Sequence, residues 1–248
     1  MSDHPSPLFI PGQAKPEADY LELERLGAAL GIPTPQLHLR VEATLPDGSP
    51  GEIYAGRART WNRNFWNFVL ALGSASGDST SAFGAGYLGV KNMNSGAIYE
   101  TTGYTARALS TRSFGIATSG SAGVDTGGIL VGTGATAESF EAYSLAAKCA
   151  EGTTVNRFNY AAMVAQAPTY NSGTRMWTGT IIRVLSNNSA ATIVVAETCL
   201  SGNHDIKYGG GPTYSAFMYA RDLLGATVSV LPGGILTVTY TVTLTFPA

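Results

Sequence analysis

Charge is scarce in this chain. Of its 248 residues only 13% are Asp, Glu, Lys or Arg, against roughly 25% in an ordinary soluble domain. A surface with so few charges is expected to lie largely against other protein in an assembly. The 15 basic and 17 acidic residues leave a net charge of −2 and no basic stripe, which argues against nucleic-acid phosphates as a main target. Histidine is rarer still, with His4, His38 and His204 far apart. Ser-His-Asp chemistry needs one of them beside a nucleophile turn such as Gly-x-Ser-x-Gly, and no such turn adjoins any. Acidic residues are scattered singly, without the convergent pair that glycoside hydrolysis requires. Two cysteines, Cys149 and Cys199, are too few for a disulfide scaffold; each sits among apolar neighbours as a buried thiol would, with a single bridge between them as the alternative. Met1-Ser2-Asp3-His4-Pro5 lacks the basic start and apolar segment of a signal peptide, and no apolar run reaches membrane-spanning length. The expectation is a soluble protein made in the cytoplasm, with no catalytic, cofactor-binding or metal-ligating residue assigned.

What is present is strand pattern. Leu236, Val238, Tyr240, Val242, Leu244 and Phe246 alternate with Thr237, Thr239, Thr241, Thr243 and Thr245, the period of a strand with one buried face and a ladder of threonine hydroxyls on the other. Thr227-Val228-Ser229-Val230 alternates too, and Pro232-Gly233-Gly234 lies between, so the two segments read as an antiparallel hairpin. A second hairpin joins Leu37, Leu39 and Val41 through Pro46-Asp47-Gly48 to Glu52-Ile53-Tyr54. In a third, a strand in which Thr178, Thr180, Ile182 and Val184 oppose Trp177, Ile181 and Leu185 passes through the turn Ser186-Asn187-Asn188-Ser189 into Ala191 to Glu197. Asn187-Asn188-Ser189 also matches a glycosylation sequon, which has no meaning without a secretory signal.

Before the first hairpin, Pro5, Pro7, Pro11 and Pro16 keep the opening segment extended. A short helix then begins near Asp19 as cap, carries Tyr20, Leu23, Leu26 and Leu30 as one stripe, and ends at Gly31 and Pro33. Glu22 and Glu24 lie off the stripe and read as solvated. His38 lies on the polar side of its strand as a surface residue. The densest aromatic stretch, Trp61-Asn62-Arg63-Asn64-Phe65-Trp66-Asn67-Phe68, has helical spacing at Phe65, Phe68, Val69 and Leu72, with Thr60 or Asn62 as cap and Gly73 as stop. That spacing favours a helix plugging one end of a sandwich over a surface that stacks on bases or sugars. From Ser74 to Ser121, aromatic bursts at Phe83, Tyr87, Tyr99 and Phe114-Gly115-Ile116 within Gly, Ser and Thr read as short strands on long loops.

Gly132, Gly134 and Ala137 follow the strand Ile129-Leu130-Val131 in a glycine-x-glycine-x-x-alanine pattern that imitates a dinucleotide-binding turn. The Thr-rich alternating strands downstream refuse the parallel units such a fold needs. The preferred reading is a glycine turn, capped by Thr136, leading into a helix from Glu138 to Ala150 that carries Phe140, Tyr143, Leu145 and Ala147. Residues 201 to 216 read as a Gly-rich loop; its His204 and Asp205 are too few for a metal shell.

Four parts of the chain together resemble a family of mostly uncharacterised structural proteins of tailed bacteriophage particles. They are Trp61 to Phe68 after the Asp-Gly hairpin, Ile129 to Ala146, the strand-turn-strand ending at Glu197, and Ala220-Arg221-Asp222 with the Pro232-Gly233-Gly234 turn. The resemblance spans Leu37 to Phe246 and implies a virion component without catalytic or ligand-binding residues. His204 to Tyr214 departs from it, being longer and richer in glycine than the expected connection. The resulting expectation is a mainly β protein: an antiparallel, jelly-roll-like β-sandwich over 37–248, with one or two short helices, preceded by an extended N-terminal arm with a short helix over 1–36. It would serve as an oligomeric neck, tail or fibre-type appendage protein. Its partners would be other copies of itself and neighbouring virion proteins, without nucleic acid, membrane or cofactor. The rival from another class is a carbohydrate-binding adhesin that recognises a host surface glycan. Trp61, Phe65, Trp66, Phe68, Trp177, Tyr240 and Phe246 are the expected structural anchors.

Overall fold

The computed structural model of the chain describes residues 17–58, 61–73, 82–84, 87–99, 120–208 and 211–246. The proline-punctuated opening and Phe114-Gly115-Ile116 lie outside them. The described chain is mainly β and antiparallel, as expected. It contains helices α1 (Glu17–Leu30) and α2 (Arg63–Gly73) and strands β1 (Thr34–Thr44), β2 (Pro50–Arg57), β3 (Val90–Lys91), β4 (Ile98–Tyr99), β5 (Ile129–Gly132), β6 (Ala150–Glu151), β7 (Arg157–Tyr160), β8 (Val164–Ala165), β9 (Thr169–Asn171), β10 (Met176–Ser186), β11 (Ile193–Tyr208), β12 (Gly211–Val230) and β13 (Ile235–Thr245).

β13 is central to the larger sheet, whose order is β2-β1-β13-β10-β7-β6, with β8 and β9 also on β10. Its alternation is realised: Leu236, Val238 and Tyr240 are buried. They face Leu39, Val41 and Ala43 of β1 and Ile181, Arg183 and Leu185 of β10 in register. The smaller sheet, β12-β11-β5, covers that face, and Ile129, Val131, Ile193, Val195, Leu200, Met218, Ala220, Val228 and Val230 complete one core. Burial of a branched apolar side chain contributes about 1.5–3 kcal/mol, so this shared layer holds the two sheets together. The β6–β7 pairing is the described parallel one and spans two residue pairs.

Of the three expected hairpins, only β1–β2 forms. β10 and β11 lie in different sheets, and so do β12 and β13. The two turn signals therefore mark corners at which the chain passes from one sheet to the facing one. Asn187 ties the corners together. It is fully buried; its Nδ2 donates to the carbonyls of Ala191 and Val230 at 2.9 and 2.8 Å, and its Oδ1 accepts from the Ser189 hydroxyl at 2.7 Å. Its backbone N–H donates to Gly234 O at 2.9 Å and its carbonyl accepts from Gly233 N–H at 2.7 Å. Gly233, at φ 78°, supplies the left-handed residue this corner needs.

Further expectations are corrected by packing. Residues 138–149 form no helix, and 201–208 with 211–216 continue β11 and β12 as a paired ribbon to Tyr208↔Gly211 where a loop was expected. α2 does not plug the sandwich end. Capped by Asn62, whose Oδ1 accepts from Phe65 N–H at 3.3 Å, it lies on the outer side of β12. There Phe65 and Phe68 pack with Phe217, Tyr219, Val90 and Tyr99, and Trp61 adjoins the cluster. α1 begins at Glu17, so Asp19 sits inside its first turn and does not cap it. Among the described residues no helix is long and apolar enough to cross a membrane.

Candidate functional site

Five of the chain's few charged side chains, Glu138, Arg183, Glu197, Arg221 and Asp222, are buried. Alternation along β11 sends Thr198 toward the larger sheet and Glu197 to the opposite face. The Glu197 carboxylate, fully buried, accepts hydrogen bonds from the backbone N–H groups of Gly134, Ala146 and Ala147 at 3.2, 3.1 and 2.8 Å and from Arg221 Nε at 2.7 Å. Arg221 also donates from Nη2 to the Thr136 carbonyl at 2.8 Å and from Nη1 to that of Ala137 at 3.3 Å, and the Glu138 carboxylate accepts from Leu223 N–H at 2.7 Å. This explains the glycine motif. A Cβ at Gly132 would lie 2.5 Å from the Ala147 carbonyl and 2.6 Å from Glu197 Oε1, and one at Gly134 would collide with the same carboxylate. The glycines admit a carboxylate of the chain's own. Two of these bonds occupy the Ala146 and Ala147 N–H groups, which the expected helix over 138–150 would have used.

On the other face, Tyr240 donates its hydroxyl hydrogen to Asp222 Oδ2 at 3.0 Å, and burial, reinforced by that carboxylate, holds its phenol well above the ordinary range. A second buried cation, Arg183 of β10, uses Nε, Nη1 and Nη2 to donate to the carbonyls of Ala161, Gly127, Ile129, Ser121 and Val124 at 2.6–3.0 Å. Its guanidinium lies 4.6 Å from the Tyr160 ring centroid. All five donors of a guanidinium are thereby matched, and burial pulls its pKa below the ordinary value. Cys149 and Cys199 are buried and unbridged. Burial, with Glu197 nearby, pushes the Cys149 thiol up to about 12, and burial pushes Cys199 up as well. These groups act as internal staples: they order loops and offer no reactive atom to solvent.

The outer surface has a different chemistry. On the exposed face of the larger sheet the register lines up His38–Thr241–Thr180, Arg40–Thr239–Ile182 and Glu42–Thr237–Val184 across three strands. An open depression there is bounded by Ala55, Gly56 and Arg57 of β2. His38 is exposed, with Nε2 3.2 Å from Gln36 Oε1. Arg40 pairs with Glu42 at 2.6 Å, and Glu24, expected to be solvated, instead meets Arg57 at 2.6 Å.

Of the seven expected anchors, Phe65, Phe68 and Tyr240 are buried, while Trp61 and Trp177 are half-buried. Trp66 and Phe246 are corrections: they are 39% and 40% exposed. Trp66 projects from α2 beside exposed Val69 and Leu70. Phe246 follows the end of β13, edge-on to exposed Tyr170 at 6.2 Å between ring centroids. Tyr170 pairs with Trp177, and Trp177 with Leu244, so three partly exposed rings gather at this end of the sheet. The backbone of His204 and Asp205 lies in β11 opposite Ser215 and Tyr214. Among the described residues no three His, Cys, Asp or Glu side chains gather closely enough to hold a metal ion. Sequence reasoning missed Glu197, Arg221, Arg183 and Asn187; the available signal was a charged or amide side chain interrupting an apolar strand or turn. Comparison of the chain with protein-family models, curated proteins and solved structures gives no match.

Proposed function

We propose that the protein is a structural component of a tailed-bacteriophage particle: an oligomeric neck- or tail-associated or appendage protein that works by protein–protein assembly. The observation that carries this reading is the set of large apolar side chains left on the surface of a chain that also withdraws five of its few charges. Arg183, Glu197, Arg221, Asp222 and Glu138 are buried, while leucines of α1 and Trp66, Val69 and Leu70 of α2 face outward. Exposed apolar patches of this kind mark contact sites, and repeated copies convert weak single contacts into avidity. The resemblance carried by Trp61 to Phe68, Ile129 to Ala146 and the Glu197 and Arg221 segments supplies the virion context. Mass spectrometry of purified particles, followed by imaging at subunit detail, tests it. The expected result is the intact chain present in multiple copies; its absence from particles made in cells that express it overturns the reading.

One observation favours a second reading, a carbohydrate-binding adhesin. Tyr170, Trp177 and Phe246 form an aromatic group accessible from solvent, the kind of surface on which a sugar ring stacks. Specific retention on a glycan array, lost in Tyr170→Ala and Phe246→Ala, supports it, and silence of the array refutes it.

A further inference from the structure

α1 is held to its sheet by one edge and presents another to solvent. Tyr20, Glu24 and Gly27, spaced i, i+4, i+7, form the attached edge. The Arg57 guanidinium lies 5.0 Å from the Tyr20 ring centroid and 2.6 Å from Glu24 Oε1. Gly27 is pressed against the start of β1, where a Cβ would collide with Thr34 Oγ1 and lie 3.0 Å from the Ile32 carbonyl. A larger residue there would require Thr34 or the helix to shift, so the close approach helps to set the rotation of the helix. The consequence is that Leu23, Leu26 and Leu30 point away from the sheet, 55%, 42% and 70% exposed, continued by Ile32 at 56%.

We infer that this leucine stripe is covered by the α1 helix of a second copy of the chain, packed antiparallel about a two-fold axis. The inference rests on the assembly reading and specifies its contact. Size is the first argument. The four side chains leave about 400 Å² of apolar surface per copy, enough for the apolar centre of an interface in which each partner contributes about 800 Å². Spacing is the second: positions 23, 26 and 30 repeat as 3 then 4 residues, the seam by which one helix seats on another like itself. Charge gives the direction. The acidic residues of α1, Glu17, Asp19, Glu22 and Glu24, fall in its first eight residues, Arg25 follows them and pairs with Glu22 at 2.7 Å, and Ala28-Ala29-Leu30 carries no charge. An antiparallel seam sets the acidic half of one helix beside the neutral half of the other and opposes the two helix dipoles; a parallel seam would align the two acidic halves and the two dipoles.

The test uses the full chain. Sedimentation equilibrium of the wild type is expected to give a dimer or a multiple of it. Leu26→Glu is expected to weaken that association by roughly tenfold or more and to keep a cooperative melt whose midpoint no longer depends on protein concentration, since Leu26 is not in the core. Because Cys149 and Cys199 are buried, a cysteine at position 26 is the reactive one, and Leu26→Cys is expected to form a covalent dimer on mild oxidation. Leu23→Cys mixed with Leu30→Cys should cross-link better than either alone. A monomeric wild type overturns the inference. So does an oligomer indifferent to Leu26→Glu, which leaves the assembly reading standing with another contact. Dissociation by Leu26→Glu without cross-linking of Leu26→Cys also overturns it, because the stripe is then covered by something else, such as residues 1–16 of a neighbouring copy. Single cysteines at 23 or 30 that cross-link better than their mixture refute the antiparallel direction.

Discussion

Removing the Glu197 carboxylate is the sharpest perturbation of the interior. Glu197→Ala deletes an acceptor of four hydrogen bonds, leaves the backbone N–H groups of Gly134, Ala146 and Ala147 facing a void, and strands the buried Arg221 guanidinium with the carbonyls of Thr136 and Ala137. Breaking a buried ion pair from one side costs about 3–5 kcal/mol, a large part of the 5–15 kcal/mol that holds a typical domain. For a chain of this length that corresponds to a melting temperature lowered by about 10 °C. Urea unfolding, followed by tryptophan fluorescence and circular dichroism together, measures the free-energy change. Limited chymotrypsin digestion reads the local effect, since Phe140 and Tyr143 lie in the loop that Glu197 gathers and cleavage there should accelerate. Replacing both partners by methionine should recover part of the loss, so that Glu197→Met and Arg221→Met combined cost less than the sum of the two single changes. A Glu197→Ala protein within about 1 kcal/mol of wild type, with its loop still protected, would refute the claim that this pair organises residues 133–147.

Other perturbations separate buried from exposed groups. Phe65→Ala should cost about 3 kcal/mol or more in urea unfolding, whereas Trp66→Ala, its neighbour on the outer side of α2, should stay within about 1 kcal/mol; equal effects would mean that α2 is rotated. Asn187→Ala removes the amide that bridges both corners and should lower stability by about 2–4 kcal/mol, measured in the same way. Alkaline unfolding follows from Cys149. The native thiol keeps its proton to about 12, while the unfolded thiol releases it near its ordinary value of 9.0. Between those values the native state binds more protons, so stability falls as pH rises. The urea midpoint should hold to pH 8 and decline above pH 9, less steeply in Cys149→Ala, and an Ellman assay should find no reactive thiol until the protein unfolds.

How much of this was legible depends on whether the determinant is local. The β1–β2 hairpin could be read because alternation and its Asp-Gly turn lie within one short stretch, and the face of β13 because threonine and apolar residues alternate without interruption. Alternation names a face and never a partner strand. The chain does change direction at Ser186 to Ser189 and at Pro232 to Gly234, yet a reversal names no partner strand. Whether the reversed strand pairs or crosses to the facing sheet is decided here by Asn187 bonding to Val230, 43 residues away. The misplaced helix over 138–150 fails for the same reason. Its apolar spacing is compatible with a helix, but the Ala146 and Ala147 N–H groups are claimed by a carboxylate 51 and 50 residues downstream.

α1 carries this logic to the surface. Of the stripe read as Tyr20, Leu23, Leu26 and Leu30, the three leucines share one exposed face, while Tyr20 turns to Arg57 on the attached edge. Periodicity does not state that the face belongs to the chain's own core; Gly27 decides that by fixing which edge meets Thr34. Gly27→Ala therefore tests the setting of the helix separately from the seam. The added methyl meets Thr34 Oγ1 and the Ile32 carbonyl and is expected to shift α1 from β1, so the Arg57 contacts to Tyr20 and Glu24 should loosen and the leucine stripe should turn. Dimerisation should then fall although no leucine has been altered, and tryptic cleavage after Arg25 should quicken. A Gly27→Ala protein that dimerises as well as wild type would show that the rotation of α1 is set by something other than this glycine.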